Sequence, residues 1–189
     1  MSESRFAPVL AGDLSRATAR FDLRQLTPDD GEALFELWDD PAVVEFMDIE
    51  QPADVAAVQR IIAWSQSARA AGNGYRWGIF DRATGAMVGS CGLHLLEGER
   101  GSRGEIGYDV GRRYWGQRVM DEVMPAALAF GFGDLRLRRI EAFVTGGNMP
   151  SCRLLERHGF ALEGTLRDYA YWKGRFWDQL MFSRLASVS

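Results

Sequence analysis

The stretch Glu105-Ile-Gly-Tyr-Asp-Val-Gly-Arg-Arg-Tyr-Trp-Gly-Gln-Arg-Val-Met120 decides the fold. Glu105–Val110 reads as a strand, Gly111–Gly116 as a glycine-bearing turn, and a helix follows over about Gln117–Phe132. A helix that begins directly after a strand turns its unpaired N–H groups and positive dipole end toward the connecting turn. Phosphate binds at such a place when glycine lets the backbone approach closely, and Arg112 and Arg113 add candidate charge-assisted contacts. By itself the turn is a weak signal, since such a turn is more often an ordinary strand-to-helix connection with solvated arginines. It is no P-loop, because no Gly-Lys-Ser/Thr follows. Nor is it a dinucleotide fingerprint, because the three spaced glycines are absent.

Ahead of this stretch, Met1–Ala19 has no clear period and reads as a loose or loosely docked arm. Phe21–Leu26 alternates as a half-buried strand. Thr27-Pro-Asp-Asp30 opens a helix with an N-cap, a first-position proline and two carboxylates at the positive dipole end. A short helical piece over Ala42–Met47 and a longer helix over about Pro52–Ala71 follow. Tyr75–Phe80 and Ala86–Leu96 read as a hairpin. Behind the decisive stretch come a strand at Arg139–Val144, a helix at Asn148–His158 stopped by Gly159, and two long strands, Phe160–Trp172 and Phe176–Leu185. Gly131-Phe-Gly133 reads as a helix C-cap. Residues 1–20 are thus assigned to the arm and 21–187 to one domain, without repeats or linkers.

The 189 residues are 47% hydrophobic and 25% charged, as in one soluble globular unit. A net charge of −4 gives no footing for a nucleic-acid or anionic-membrane surface. Cys91 and Cys152 cannot make a disulfide framework, and there is no run of 18 apolar residues. The expectation is a cytoplasmic protein without a metal, since no Cys/His spacing suits zinc.

Several segments in order, Glu105-Ile-Gly-Tyr108, Tyr114-Trp-Gly-Gln117, Arg139-Ile-Glu-Ala142, Asn148-x-x-Ser151, Leu155-Glu-Arg-His-Gly-Phe160 and Leu162-Glu-Gly164, resemble the GNAT acetyltransferases. Leu166-Arg-Asp168, Lys173-Gly-Arg175 and Asp178 continue the likeness, as do Phe21-Asp-Leu-Arg24 and Thr27-Pro-Asp-Asp30, so that it covers about Arg20 to Leu185. Within that family it looks like the RimJ/RimL type, which acetylates protein N-termini and some small amines. The resemblance implies an α/β (α+β) fold: a mixed, mostly antiparallel, splayed sheet of about seven strands with helices on both faces. It implies acetyl-CoA as cosubstrate and an amine acceptor, in a monomer or homodimer.

By the same resemblance the cofactor is held by Tyr108, Val110, Arg113, Trp115, Gly116, Gln117, Arg118, Val119, Met120, Asn148 and Ser151. Ser151 would also protonate the departing sulfur, and a backbone N–H near Val110 would serve the carbonyl oxygen. Glu105 is the first candidate general base, with surface ion pairing as its bland reading, and Asp109 and Asp168 are weaker. Tyr108, Tyr169 and Tyr171 are alternative acids. Where the family's pyrophosphate turn has its central glycine, this chain has Arg118. The favoured expectation is a right-handed backbone there, with the side chain turned aside; a positive φ would impose strain. That departure keeps a second reading in play, a catalytically weak binding module on the same fold; a transferase for longer acyl chains is a third reading, independent of it. His94 and His158 read as structural, and Trp172 and Trp177 as candidate contacts at the acceptor groove.

Overall fold

In the computed structural model, which describes residues 4–99 and 101–187, the strands are β1 (Arg16–Ala17), β2 (Phe21–Gln25), β3 (Tyr75–Asp81), β4 (Met87–Glu97), β5 (Arg103–Val110), β6 (Arg139–Thr145), β7 (Ala161–Trp172) and β8 (Arg175–Leu185). They form one sheet in the order β1-β2-β3-β4-β5-β6-β8-β7. Every pairing is antiparallel except that between β5 and β6. The helices are α1 (Ala7–Leu10), α2 (Gly31–Trp38), α3 (Pro41–Val44), α4 (Val55–Ala70), α5 (Val119–Ala129) and α6 (Met149–Arg157).

Two apolar cores lie on the two faces of this sheet. One joins α1, α5 and α6 to Trp77, Leu93, Ile106, Ile140 and their neighbours. The other joins α2, α3 and α4 to Leu26, Phe80 and Met87. Because side chains alternate along a strand, Ile106, Tyr108 and Val110 meet the first core, whereas Glu105, Gly107 and Asp109 point to the second face. The helix start read at Thr27 is present and takes the form of a capping box: Thr27 and Asp30 satisfy one another across a short 3-10 turn that leads into α2.

Three expectations are corrected. The segment before Phe21 is docked: Phe6, Leu10 and Leu14 are buried in the first core. The Trp77 indole donates to the Leu14 carbonyl at 2.7 Å, and β1 adds an eighth strand. Its apolar residues are spaced too irregularly to show a period, and their burial depends on Trp77 from elsewhere in the chain. Gly131-Phe-Gly133 is no C-cap but part of a π-type turn, Phe130–Asp134. Gly131 is required because a Cβ there would stand 2.6 Å from Ile140 and 2.9 Å from Leu93. Finally, α5 begins at Val119, two residues later than its apolar pattern suggests. Residues 1–3 of the expected arm and residue 100 of the 98–104 loop lie outside the described residues.

Candidate active site

Parallel strands β5 and β6 pair only at Arg103–Arg139, Gly104–Ile140 and Glu105–Glu141. Beyond Glu105 they part, and a cleft of about 1380 Å³ opens between them. It runs through the sheet. On the α5/α6 face it is lined by Tyr108, Val119, Met120, Asn148, Ser151 and Leu154. On the α2/α4 face it is lined by Glu105, His94, Arg76, Phe46, Trp64 and Trp172. A passage with a different helix layer at each mouth gives two reactants separate routes to one point.

At the first mouth, Trp115 pins the turn by donating from its indole to the Val110 carbonyl at 2.7 Å. Gly116 has φ 75°, and Arg118 has φ 58° and ψ 32°, fully left-handed. The expected right-handed backbone at Arg118 is therefore wrong. The turn must reverse sharply to start α5, and the residue before the first helical one takes the left-handed geometry that glycine accepts freely. No side chain caps this helix start, and Arg118, Val119 and Met120 all face the cleft. Arg118 itself is exposed, with Nε 3.5 Å from Asp121. Arg118→Gly is expected to raise stability by about 0.5–1 kcal/mol, because left-handed strain costs more than glycine's extra chain entropy. A melting temperature equal to or below that of the parent protein would contradict this.

Asn148 caps α6 by accepting the Ser151 N–H at 3.3 Å, which turns the Ser151 hydroxyl toward β5. There Ser151 Oγ lies 2.7 Å from the Tyr108 hydroxyl, and burial raises the Tyr108 pKa, so that this phenol keeps its proton. Val110, Trp115, Gly116, Arg118, Val119, Met120, Asn148 and Ser151 thus converge on one mouth. Arg113 and Gln117 do not line the cleft: Arg113 lies over the Tyr114 ring, 5.0 Å from its centroid, and the Gln117 amide donates to the Arg113 carbonyl at 2.8 Å.

At the second mouth Glu105 and His94 sit opposite one another on adjacent strands, with Glu105 Oε1 3.2 Å from His94 Nε2. Both line the cleft, so His94 belongs to the site wall and is more than packing. Its signal was recoverable only with the register of β4 against β5. Asp109 is buried and accepts from Arg76 Nη2 at 2.7 Å and Trp38 Nε1 at 3.0 Å, and from the Ser90 hydroxyl. Asp168 stands away from the cleft and accepts no role there; its N–H donates to Asp178. His158 packs near Asp121, its Nε2 3.5 Å from that carboxylate, and burial lowers its pKa. Trp172 lines the cleft, whereas Trp177 stacks behind it, 5.7 Å between ring centroids. Among the described residues no group of three or more His, Cys, Asp or Glu side chains is placed to hold a metal, and no helix is long and apolar enough to cross a membrane.

A sheet parted between parallel neighbours, with an uncapped helix start at the parting, defines the class of GNAT-fold transferases. The family model described as Acetyltransferase (GNAT) domain matches residues 20–161. Over 168 residues the chain is 38% identical to the uncharacterized N-acetyltransferase p20 of Bacillus licheniformis, covering 89% of this chain and 94% of that one. Two solved structures share the fold. The ribosomal L7/L12 alpha-N-protein acetyltransferase RimL has a TM-score of 0.81 at 20% identity, with 90% of this chain and 93% of that one covered. The microcin C7 self-immunity acetyltransferase MccE, in complex with acetyl-CoA and AMP, has a TM-score of 0.77 at 19% identity, with 89% and 93% covered. The chain belongs to the GNAT acetyltransferase family and is an acetyl-CoA-dependent N-acetyltransferase.

Proposed function

We propose that this enzyme acetylates a primary amine by direct attack in a ternary complex, the thioester entering by the α5/α6 mouth and the amine by the α2/α4 mouth. The two-mouthed cleft between β5 and β6 carries this reading. The residues at the first mouth fit coenzyme A. Past Glu105 and Glu141 the facing edges of β5 and β6 lack each other as ladder partners, which leaves room for an extended pantetheine arm to bond there as a strand would. The uncapped start of α5, with Gly116 in its approach, suits a pyrophosphate.

Acetyl-CoA supplies an activated acyl group; this chain's residues manage position and protons. Glu105, oriented by His94, takes the proton that the ammonium must lose before it attacks, directly or through one water. The Tyr108–Ser151 pair, which keeps its protons, donates toward the sulfur as it departs. A backbone N–H near Val110 offers a donor where carbonyl charge develops. The L7/L12 activity of RimL supports an amine on a peptide or on a small molecule of similar chemistry. Initial rates of thiol release, measured while both substrates are varied, test the scheme. Intersecting double-reciprocal lines are expected, and parallel lines would replace direct attack with a covalent acetyl-enzyme.

A further inference from the structure

The floor of the second mouth is a register pattern. On the α2/α4 face Arg76, Gly92 and Gly107 stand in one row across β3, β4 and β5, and His94 and Glu105 stand in the adjacent row. Rows on one face are two residues apart, about 7 Å. The two glycines leave the floor without side chains. A Cβ on Gly107 would lie 3.0 Å from the His94 ring and 3.6 Å from Arg76 Nη1. The space over Gly107 is therefore bordered by the Glu105–His94 pair on one side and by Arg76 Nη1 on another.

Arg76 is held in place. Its Nε donates to Ser90 at 2.9 Å and its Nη2 to Asp109 at 2.7 Å, which leaves the Nη1 donors toward Gly107. A fixed guanidinium donor at a mostly buried position calls for an oxygen acceptor. The walls above are apolar. Phe143 stacks on Tyr169 with 5.6 Å between centroids, and Trp64 of α4 and Leu95 of β4 expose 65% and 68% of their surface while lining the cleft. Large apolar side chains left open together mark a surface that binds something apolar. The Trp172 indole N–H, buried and without a partner, adds one more donor to this wall.

The far end is tied shut. Lys173, at the tip between β7 and β8, donates to the carbonyls of Val44, Glu45 and Met47, and Thr145 donates to the Phe46 carbonyl at 2.9 Å. The loop after α3 and the last hairpin are thereby bridged across one end of the chamber, which favours a compact guest.

We propose, building on the amine-acetylation reading above, that the acceptor is a compact α-amino carbonyl compound with an aromatic or large apolar side chain, a free amino acid or its amide. Its amine faces Glu105 and His94, its oxygen takes the Arg76 Nη1 donors, and its side chain lies against Phe143, Tyr169 and Trp64. Arg76 is on this account a specificity-determining residue. Of the other charged lining groups on this side, Glu45, Asp48 and Arg60 are exposed at the rim, and buried Asp109 is taken up by Arg76, Trp38 and Ser90, which leaves the inner recognition to Arg76, His94 and Glu105.

The test uses the full chain at saturating acetyl-CoA and reads kcat/KM from thiol release. L-phenylalaninamide is expected to exceed L-alaninamide, an amine of similar basicity, by about tenfold or more. Arg76→Lys keeps a cation beside Asp109 but loses the fork. Its loss with L-phenylalaninamide is expected to exceed its loss with phenethylamine, which lacks the oxygen, by about tenfold. Equal losses on the two amines, or equal rates for the two amides, overturn the proposal. So does a phenylalanine-led tripeptide that surpasses L-phenylalaninamide tenfold, which would make the acceptor a peptide N-terminus. Comparing L-phenylalanine with its amide separates a carboxylate from a neutral carbonyl. If Arg76→Lys does not fold, the two-amide comparison on the unchanged protein still decides. Thiol release with none of these amines, nor with any other primary amine, would instead sink the amine-acetylation reading itself.

Discussion

Glu105→Gln should lower kcat/KM about a hundredfold at neutral pH, the scale of a lost general base. Glutamine keeps the length of the side chain and a hydrogen bond to His94 across the 3.2 Å gap, but it cannot carry a proton away. The deficit should shrink as pH rises. An amine of pKa about 8–10 is increasingly neutral in solution there and needs less help from the enzyme. The signature is a pH–rate profile for the variant that climbs where the parent enzyme is flat. A variant with unchanged kcat/KM at neutral pH would reduce Glu105 to an ion-pair partner of His94. The melting temperature should move little, since the pair is partly exposed and such pairs contribute at most about 1 kcal/mol.

Asp109→Ala should act on stability instead, and by about 3–5 kcal/mol, as removal of one partner from a buried ion pair does. The carboxylate side chain is 3% exposed and joins three partners from different elements: Trp38 of α2, Arg76 of β3 and Ser90 of β4. Its loss leaves the Arg76 cation beside a void and the Trp38 N–H without its acceptor. For a chain of this size the melting temperature should fall by roughly 10 °C. A loss below about 1 kcal/mol in denaturant titration would show that water enters and satisfies these groups. Because the same carboxylate holds Arg76 over Gly107, acetyl transfer in the surviving folded fraction should weaken most for acceptors that carry an oxygen beside the amine.

Much of this architecture is legible in the residues. The helix start at Thr27-Pro28 and the glycine stop at Gly159 are local signals, and each stands where it was read. The run from Glu105 to Gly164 carries the family likeness because it holds the strands that part and the two helices that start at the gap. Less legible was anything that depends on contact between distant segments. The Met1–Ala19 stretch lacks a period, yet Phe6, Leu10 and Leu14 are core residues because Trp77 and Phe130 meet them there. Gly131 resembles a stop signal in sequence and is instead a gap for Ile140 and Leu93.

At the site the division is the same. Ser151 and Asn148 were offered by the family resemblance, and their spacing places a cap and a hydroxyl together at a helix start. The bond from Ser151 to Tyr108 spans 43 residues and exists only once α6 docks beside β5. His94 looked structural because nothing in its neighbourhood along the chain names Glu105 as its partner; the register of β4 on β5 does. Arg118 is the sharpest case. The sequence alone established that a side chain stands where the family's turn has glycine. Whether that position is right- or left-handed depends on how the turn must bend to launch α5 from the end of β5. The folded chain answers left-handed, at φ 58°. The sequence by itself thus determined the family, the order of elements and the residue types offered to the cleft. The tertiary structure alone decided which of them meet, because strand register and helix docking bring together groups that no local spacing relates.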